Sequence, residues 1–448
     1  MGLSGIEIFK KLPKKNCKEC GVPTCLAFAM KLAQGKAELV ECPYVSEEVM
    51  VELSEASAPP IRTVTIGVGE NALKVGGETV MFRHDKTFVN PPGIAVLISD
   101  KMSEEEINQK IKQFNQIKFE RVGLVLKPDL IAIKSETQNG DKYASLVRKI
   151  KDQTEAKIIL ISSQKEVMKA GLDCCQDKRP LLYVPTSNGV NEIAQLAKEN
   201  NCPLAVKGSN LEELAETVDR LIKEGLKDLV IDSGARDIKQ LLEDQIKIRR
   251  TALKTKFKPF GFPTITFPNE MTEDPMKEAL YAAVMIAKYA GIIVLSDLEV
   301  YRIFPLLVQR LNLYTDPQRP MVMEPKIYEI NEPNEKSPVI ITTNFSLTYF
   351  IVSGEVEGSK IPTWLCIMDT EGLSTLTAWS AGKFVPDLIA VYLKKIGIGD
   401  KVSHRKVIIP GYLAQIKGEL EDELKNEWEV IVGPREASDL PNFLQKIA

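Results

Sequence analysis

The sequence predicts a multidomain α/β chain in three parts: a small cysteine-bearing unit over residues 1–57, a (β/α)8 TIM barrel over 58–320 and a doubly wound α/β domain over 321–448. Three observations predict it. Four of the eight cysteines lie within the first 42 residues. Between residues 93 and 297, eight short apolar runs alternate with amphipathic helical stretches. From Val339 onward, four more run-then-helix units follow a proline-rich stretch. A length of 448 residues suits several ordinary domains. With 44% apolar and 27% charged residues the chain is globular rather than disordered, and with only 6% aromatic its cores are aliphatic. Lys and Arg number 58 against 61 Asp and Glu, a net charge of −3 that argues against a nucleic-acid partner.

The first element is the cysteine unit. Its pattern is Cys17-x2-Cys20-x4-Cys25-x16-Cys42, followed by Pro43. Met1 to Lys18 has no apolar stretch and carries Lys10, Lys11, Lys14, Lys15 and Lys18, so no secretory signal is expected and the protein should be cytoplasmic. Thiols in a reducing compartment are not disulfides, and clustered ones point to a metal. Four thiolates close a zinc shell or hold a [4Fe–4S] cubane. Zinc ribbons use two Cys-x2-Cys knuckles and this chain has one, while a distant cysteine followed by proline is an iron–sulfur habit. The cluster is therefore favoured, with zinc and free thiols as alternatives. The spacing still departs from the bacterial ferredoxin run. Gly21 and Pro23 allow turns that aim backbone N–H groups at the sulfurs and tune the potential. The lysines beside Cys17 read as a solvated face, with docking of an electron donor as the alternative. Cys174-Cys175 reads as a vicinal pair in a loop, and Cys202 and Cys366 as buried packing residues.

Ser54–Pro60 reads as a linker, because Pro59-Pro60 stops a helix. Val64, Ile66 and Val68 alternate as a strand, and Gly76-Gly77 is expected to turn a hairpin. The barrel strands are then Ile94–Ile98, Leu130–Ile133, Lys157–Ile161, Leu181–Val184, Leu204–Val206, Leu229–Ile231, Thr264–Phe267 and Ile292–Leu295. Parallel strands covered on both faces read as unbroken apolar runs. Helices Glu104–Lys118, Asn191–Glu199, Asn210–Glu224 and Pro275–Tyr289 lie between them. Eight β-then-α units fit a TIM barrel, an open doubly wound sheet being the alternative. The longest apolar tract, Ala279–Leu295, is broken by Lys288 and Gly291 and reads as a helix followed by a buried strand, not a membrane span. A barrel's active face lies past its strand ends. There the sequence has Asp100, Glu136, Ser162-Ser163, Thr186-Ser187-Asn188, Lys207-Gly208-Ser209, Asp232-Ser233-Gly234, Asn269-Glu270 and Asp297. Helix capping explains such residues as well as ligand binding does. No Walker A pattern occurs, and Gly67-Val-Gly69 lacks the third glycine of a dinucleotide site.

Residues 298–338, with Pro305, Pro317, Pro320, Pro325, Pro333 and Pro338, read as an irregular connector. Four parallel strands are expected after it: Ile340–Thr343, Trp364–Met368, Lys406–Ile409 and Glu429–Val432. A short helix follows Asn344, and longer ones are expected over Ser374–Lys395, Leu413–Leu424 and Glu436–Ile447. Ligands of such sheets bind at the carboxyl ends of the strands. Here those ends are Thr343-Asn344, Glu371-Gly372, Pro410-Gly411 and Gly433-Pro434, small or turn-forming residues that let a large flat ligand approach the backbone. Ordinary turns look the same.

Asn16-Cys17-Lys-Glu-Cys20-Gly-Val-Pro-Thr-Cys25 with Cys42-Pro43 resembles the cluster motif of the large (gamma) subunits of corrinoid iron–sulfur proteins. These belong to the acetyl-CoA synthase/CO dehydrogenase (Wood–Ljungdahl) pathway of carbon dioxide fixation in anaerobes. The resemblance covers the whole chain. Thr343-Asn344-Phe-Ser346-Leu-Thr348, Asp369-Thr-Glu-Gly-Leu-Ser374-Thr375 and Pro410-Gly411-Tyr412 look like that family's corrinoid-contacting loops. The resemblance implies a [4Fe–4S] domain held by Cys17, Cys20, Cys25 and Cys42, then a TIM barrel, then a corrinoid-binding α/β domain. The implied corrinoid contacts are Thr343, Asn344, Ser346, Leu347 and Thr348 on the first loop. On the second they are Thr370, Gly372, Leu373, Ser374, Thr375, Leu376 and Ala378. Pro410, Gly411, Tyr412 and Leu413 follow, then Gly433, Pro434, Arg435 and Glu436.

The implied function is that of a methyl carrier rather than a free-standing catalyst. A cobalamin-type cobalt takes methyl from methyltetrahydrofolate on a separate methyltransferase and gives it to acetyl-CoA synthase/CO dehydrogenase. The cluster returns Co(II) to Co(I). A smaller barrel subunit completes a heterodimer, and no nucleic acid or membrane is involved. Neither histidine fits the Asp-x-His-x-x-Gly pattern that gives an imidazole to cobalt, since His84 is preceded by Phe82 and His404 by Val402 at the required distance. A base-off corrinoid without a protein imidazole is therefore expected, with Ser374 a candidate for the place below the cobalt. Two other readings stay open. One is an iron–sulfur methyltransferase that binds the folate on its own barrel and depends on Asp232 or Asn269. The other is a zinc-stapled interaction scaffold, against which Pro43 and the single knuckle count.

Overall fold

The computed structural model describes residues 5–33, 37, 39–46, 49, 53, 59–186, 189–316 and 321–447. Most of the expected linker 54–60, Ser187-Asn188 of the fourth barrel loop and residues 317–320 of the expected connector lie outside them. The chain divides into two compact units, one of residues 1–118 and 127–314, the other of residues 119–126 and 315–448.

In the first unit, helices Gly5–Lys11 and Cys25–Ala33 pack on each other through Ile8, Leu12, Phe28 and Ala29. Strand β1 (Thr63–Ile66) then pairs antiparallel with β2 (Leu73–Gly76), Ile66 opposite Leu73. The reversal lies at residues 67–72, where Gly67 and Gly69 take φ of +94° and +71°. This corrects the expectation that Gly76-Gly77 makes the turn. Gly76 instead ends the second strand at φ +82°, where a Cβ would stand 2.2 Å from the Arg62 carbonyl.

The chain continues through β3 (Gly93–Ser99), a small antiparallel hairpin of β4 (Phe119–Arg121) and β5 (Leu124–Leu126), and β6 (Leu130–Lys134). Then come β7 (Lys157–Ile161), β8 (Leu181–Val184), β9 (Leu204–Lys207), β10 (Leu229–Asp232), β11 (Thr264–Thr266) and β12 (Ala290–Leu295). Apart from the β4–β5 hairpin these close a parallel barrel in the order β10-β11-β12-β3-β6-β7-β8-β9, each strand on an expected apolar run. Alternate residues point inward, among them Ala95, Leu130, Ile159, Leu181, Val230 and Ile292, and Val64, Ile66 and Val75 of the first hairpin join them. That hairpin plugs the amino-terminal mouth. Arg62 N–H donates to the Gly261 carbonyl at 2.9 Å and Gly67 N–H to the Arg179 carbonyl at 3.1 Å, both acceptors lying just before a strand. Cys174-Cys175 ends the helix Lys165–Cys175 rather than lying in a loop, a correction to the sequence reading. Burial pushes the Cys175 thiol up to about 12 and that of Cys202 up to about 11, so neither is a ready nucleophile.

Arg249 and Glu78, each 4% exposed, pair beside the plugged mouth at 3.1 Å. The guanidinium also donates to the Val80 carbonyl at 2.6 Å and lies over the rings of Phe88 and Tyr289. Burial holds the Glu78 carboxyl above the usual range although Arg249 pulls it down. Arg249→Met strands that carboxyl, and a loss of about 3–5 kcal/mol is expected. The native carboxyl therefore titrates above the unfolded value of about 4.3. Its contribution to stability is therefore largest at low pH and fades as pH rises through the native value. Without Arg249 that value rises further, so urea unfolding should show the variant's deficit growing as the pH rises above the unfolded carboxylate value of about 4.3.

The second unit is built on β13 (Ile327–Ile330), β14 (Val339–Thr343), β15 (Thr363–Met368), β16 (Lys406–Ile409) and β17 (Glu429–Val432), in the order β13-β15-β14-β16-β17. The four expected strands are parallel, and β13 adds an antiparallel edge. The stretch 298–338 is therefore not the irregular connector expected from its prolines. It holds β13 and the helix Val300–Leu313, which carries Pro305 inside it. Ile341, Trp364, Cys366 and Ile409 face one core and Ile340, Leu365, Ile367 and Ile408 the other, so both faces of the sheet are covered. Burial pushes the Cys366 thiol up to about 12. Ser374–Lys395 is broken into Thr375–Ser380 and Pro386–Lys395 around Gly382 at φ +69°. The β4–β5 hairpin belongs to this unit: Val122 packs on its second core and Arg121 lies 4.3 Å over the Phe350 ring.

Candidate cofactor sites

The strand order reverses between β14 and β16, the topological switch point where open α/β sheets bind ligands. These two strands pair at one register position only, Ile340 with Ile408. A cavity of about 300 Å³ lies there. Its rim includes Thr348, Ser374, Thr375, Leu376, Pro410, Tyr412, Gly433, Pro434 and Arg435, all among the residues named from the sequence. Its depth is made by Ile340, Ile341, Thr342, Ile408, Ile409, Ala437 and Leu440, with Val352 and the half-exposed Ile351 along one side, none of which was named. Large apolar side chains stay exposed on the adjoining elements, Leu347 at 56%, Ile351 at 48%, Leu376 at 45% and Tyr412 at 44%. A cavity at the low end of ligand-pocket sizes with an apolar rim suits a flat ligand resting on the edge with a narrow part inserted. Leu413 and Ala378 are fully buried in the first core, so they support the loops from beneath.

The loops are held by Asn344, 2% exposed at the end of β14. Its Oδ1 accepts from the Thr370 and Gly372 N–H groups at 3.0 Å each, and its Nδ2 donates to Asp369 Oδ1 at 2.9 Å. This clip sets the turn at Glu371 and Gly372, with φ of +56° and +75°, that leads into Ser374. The Thr343 hydroxyl beside it is buried with no hydrogen-bond partner. Gly411 lets two loops touch: a Cβ there would lie 2.4 Å from the Gly433 carbonyl oxygen. Tyr412 donates to Glu436 Oε1 at 2.8 Å. Ser346 is buried at a helix start, Leu373 packs partly on the first core, and neither lines the cavity. Neither histidine is among the residues that line it. His404 is bonded through Nε2 to the Ser337 carbonyl and through Nδ1 to Lys406 N–H, and His84 stacks on Phe82.

Cys17, Cys20, Cys25 and Cys42 line one pocket of about 10 Å³ in the first unit. Among the described residues no three His, Cys, Asp or Glu side chains are grouped as a shell for a single metal ion. Cys25 and Cys42 are buried, and Cys17 and Cys20 are half-buried. Lys14, Asn16, Lys18 and Gly21 all take positive φ, at 57°, 49°, 68° and 73°. Three of these are not glycine, each costing about 1 kcal/mol or more, and such strain collects at functional loops. It turns N–H groups inward: Asn16 N–H donates to Cys25 Sγ at 3.4 Å, while Asn16 Oδ1 accepts from Cys25 N–H at 2.8 Å. Cys25 also opens a helix, whose amino-terminal end favours negative charge beside it. These donors fit a group that carries negative charge on sulfur.

The barrel's carboxyl mouth is neutralised from within. Asp232 accepts from Tyr183 Oη at 2.7 Å, from Arg236 at 2.8 Å and from Gly234 N–H at 2.8 Å. Burial opposes the charge on Arg236, and Asp232 outweighs it and raises the pKa. Glu270 binds Arg236 from the other side and lies 4.0 Å from Lys134, which also pairs with Glu136. Burial works against the Asp100 charge, yet hydrogen bonds from Thr137, Glu136 and Ser135 hold its carboxyl below the usual range. The helix caps are other residues, Ser103, Asn139, Asn210, Asp237 and Asp274.

Comparison with known proteins bears on these sites. The large subunit of the corrinoid/iron–sulfur protein from Moorella thermoacetica is 46% identical over 443 residues, covering 99% of this chain and 98% of that one. The chain belongs to the family of corrinoid/iron–sulfur protein large subunits. A gamma subunit of the acetyl-CoA decarbonylase/synthase complex from Methanopyrus kandleri is 38% identical over 99% of this chain and 98% of its own. The family model for the CO dehydrogenase/acetyl-CoA synthase delta subunit matches residues 63–444, and an Fe–S cluster family model matches residues 12–44. The delta-subunit model begins at β1 and so leaves out the cysteine segment. The full-length gamma and large-subunit relatives include it, which places this chain with them. No helix among the described residues is long and apolar enough to cross a membrane.

Proposed function

We propose that this chain is the corrinoid-bearing methyl carrier of an acetyl-CoA decarbonylase/synthase system, with its own [4Fe–4S] cluster for reductive repair. The observation that carries this reading is the apolar switch-point cavity with its exposed apolar rim, on the same chain as the four-cysteine pocket. A bound corrinoid supplies a methyl-accepting cobalt, and a cluster supplies the electron that restores Co(I). The residues of the chain do the rest. Ile351, Val352 and Leu440 form an apolar wall that would take an inserted part, and the Thr348, Ser374 and Thr375 hydroxyls would hold polar edges of the ring. The Asn344 clip fixes the loop from Asp369 to Ser374. No histidine lines the cavity, and both ring nitrogens of His404 are hydrogen-bonded to the backbone, which suits a base-off corrinoid. The partners are a smaller barrel subunit, a methyltetrahydrofolate methyltransferase and acetyl-CoA synthase/CO dehydrogenase.

Under this reading the barrel is a scaffold. Asp232→Asn removes the charge partner of Arg236, and a stability loss of about 1–3 kcal/mol is expected with methyl transfer unchanged. Loss of transfer in a folded D232N protein would instead favour folate binding on the barrel. The deciding experiment is metal analysis with EPR on anaerobically purified protein, alone and co-expressed with its small subunit. Cobalt with iron and sulfide, and a Co(II) signal without nitrogen splitting, is the expected result. Iron without cobalt in both preparations rejects the carrier, and zinc in place of iron rejects the redox reading.

A further inference from the structure

We propose that the carboxyl mouth of the barrel is a binding site for a flat ring carrying an N–C–N donor edge, and that Arg236 occupies it as a resident stand-in which such a ring displaces. The inference goes beyond the proposed function and concerns the barrel alone. A ring held here takes no part in methyl transfer. Asp232 ends β10 with no exposed surface. Its Oδ2 accepts from Tyr183 Oη at 2.7 Å and its Oδ1 from Gly234 N–H at 2.8 Å, so the carboxylate is fixed by its own strand and loop. Arg236 meets it with two nitrogens, Nη1 to Oδ1 at 3.2 Å and Nη2 to Oδ2 at 2.8 Å. The guanidinium carbon lies 4.9 Å over the Phe267 ring, and Nε donates to Glu270. Two side-by-side bonds to a carboxylate and a face laid on an aromatic ring are the way a planar guanidine is recognised.

Support of the fold alone does not call for this arrangement. A buried ion pair adds little net stability over well-packed apolar side chains of the same volume. The pair also stands where barrels hold their ligands, at the carboxyl ends of the strands. Beside Glu270 in the turn Pro268–Glu270, Asn269 carries a buried Oδ1 that no donor meets, an acceptor left open at the same mouth. Arg236 is able to leave. It sits on the loop between β10 and the helix Ile238–Thr255, its side chain is 21% exposed, and Gly234 in the same loop takes φ +81°. The ring that replaces it needs two N–H groups flanking one carbon, the edge that a 2-amino-4-oxopyrimidine presents while staying neutral. The exchange makes and breaks hydrogen bonds only, and Arg236 takes its charge out to solvent.

The test uses the full chain, the variant Arg236→Ala and the double variant Arg236→Ala, Asp232→Asn. Isocytosine is the ring probe, ethylguanidinium the side-chain probe, and uracil, which lacks the amino group, the control. The readouts are titration calorimetry and the urea midpoint at millimolar probe. Arg236→Ala should bind isocytosine at least about tenfold more tightly than the unmodified chain, because no resident group has to be displaced. Its urea midpoint should rise with isocytosine and not with uracil. The double variant leaves no unpaired buried charge, so it should fold and bind none of the three probes. Equal isocytosine binding by all three proteins would put the ring elsewhere and overturn the proposal. Binding of ethylguanidinium but not isocytosine by Arg236→Ala would reduce the site to an ion pair and overturn it too, as would binding of neither. If Arg236→Ala stays unfolded even with isocytosine while the double variant folds, the ring does not replace the guanidinium and the proposal is equally lost.

Discussion

Asn344→Leu should empty the proposed corrinoid site while leaving the proposed cluster in place. The side chain is 2% exposed and serves four groups on the neighbouring loop: the N–H and the hydroxyl of Thr370, the N–H of Gly372 and the carboxylate of Asp369. The Thr370 hydroxyl has an alternative acceptor in the Leu373 carbonyl, so its loss is small. The two N–H groups have none, and each buried donor left unmade costs about 1–3 kcal/mol. A total of about 3 kcal/mol is expected, enough to release a turn held at positive φ at both Glu371 and Gly372. The measurement is corrinoid absorbance after gel filtration, set beside iron content and the urea midpoint. Asn344→Asp separates the hydrogen bonds from the mere presence of a polar group. It keeps the acceptors for Thr370 and Gly372 but sets a second carboxylate against Asp369. It should retain corrinoid poorly at neutral pH and better as the pH falls toward the carboxylate range. Full retention of corrinoid by the Leu variant would show that the clip does not shape the site.

The contrast between what was legible and what was not has physical causes. The eight barrel strands were legible because a parallel strand buried on both faces needs an unbroken apolar run, and each run sits in the barrel. β13 was missed because an edge strand needs only one partner. Its residues Ile327–Ile330 are half-buried and lie among prolines that suggest a connector. Pro305 misled in the same way, since the helix Val300–Leu313 tolerates it. The β4–β5 hairpin is too short for a periodic signal, and Val122 and Arg121, which meet the second core, lie at its turn, where no apolar pattern marks them. At the candidate site the rim was legible, because strand ends at a switch point are turn residues. The floor was not. Ile351, Val352 and Leu440 look like ordinary helix-core residues, and only the single register pair between β14 and β16 opens the space that makes them lining. No local pattern encodes how far two strands separate.

Cys20→Ala should produce the opposite defect from Asn344→Leu. Cys20 is half-buried on the loop between Lys18 and Gly21, both at positive φ, and it is one of only four thiols in the pocket. A cubane takes four cysteine ligands, so three leave one iron open and the cluster labile. Cys20 packs only partly against the small core of Ile8, Phe28 and Ala29, and alanine keeps its Cβ there, so the unit should still fold in part. Iron and sulfide should fall to background while cobalt stays at the level of the unmodified protein. Chemically reduced protein should then accept and pass on a methyl group in a single turnover at the normal rate, because the switch-point cavity is untouched. After deliberate oxidation it should stay silent, whichever electron carrier is supplied. The two variants together form the sharpest comparison: one keeps iron and loses cobalt, the other keeps cobalt and loses iron. If Cys20→Ala also abolished the single turnover from reduced protein, the cluster would be part of the transfer itself, and the division of labour proposed for the two sites would be wrong. If instead the variant kept a full iron content and reactivated normally, the cysteine pocket would not be the cluster site at all.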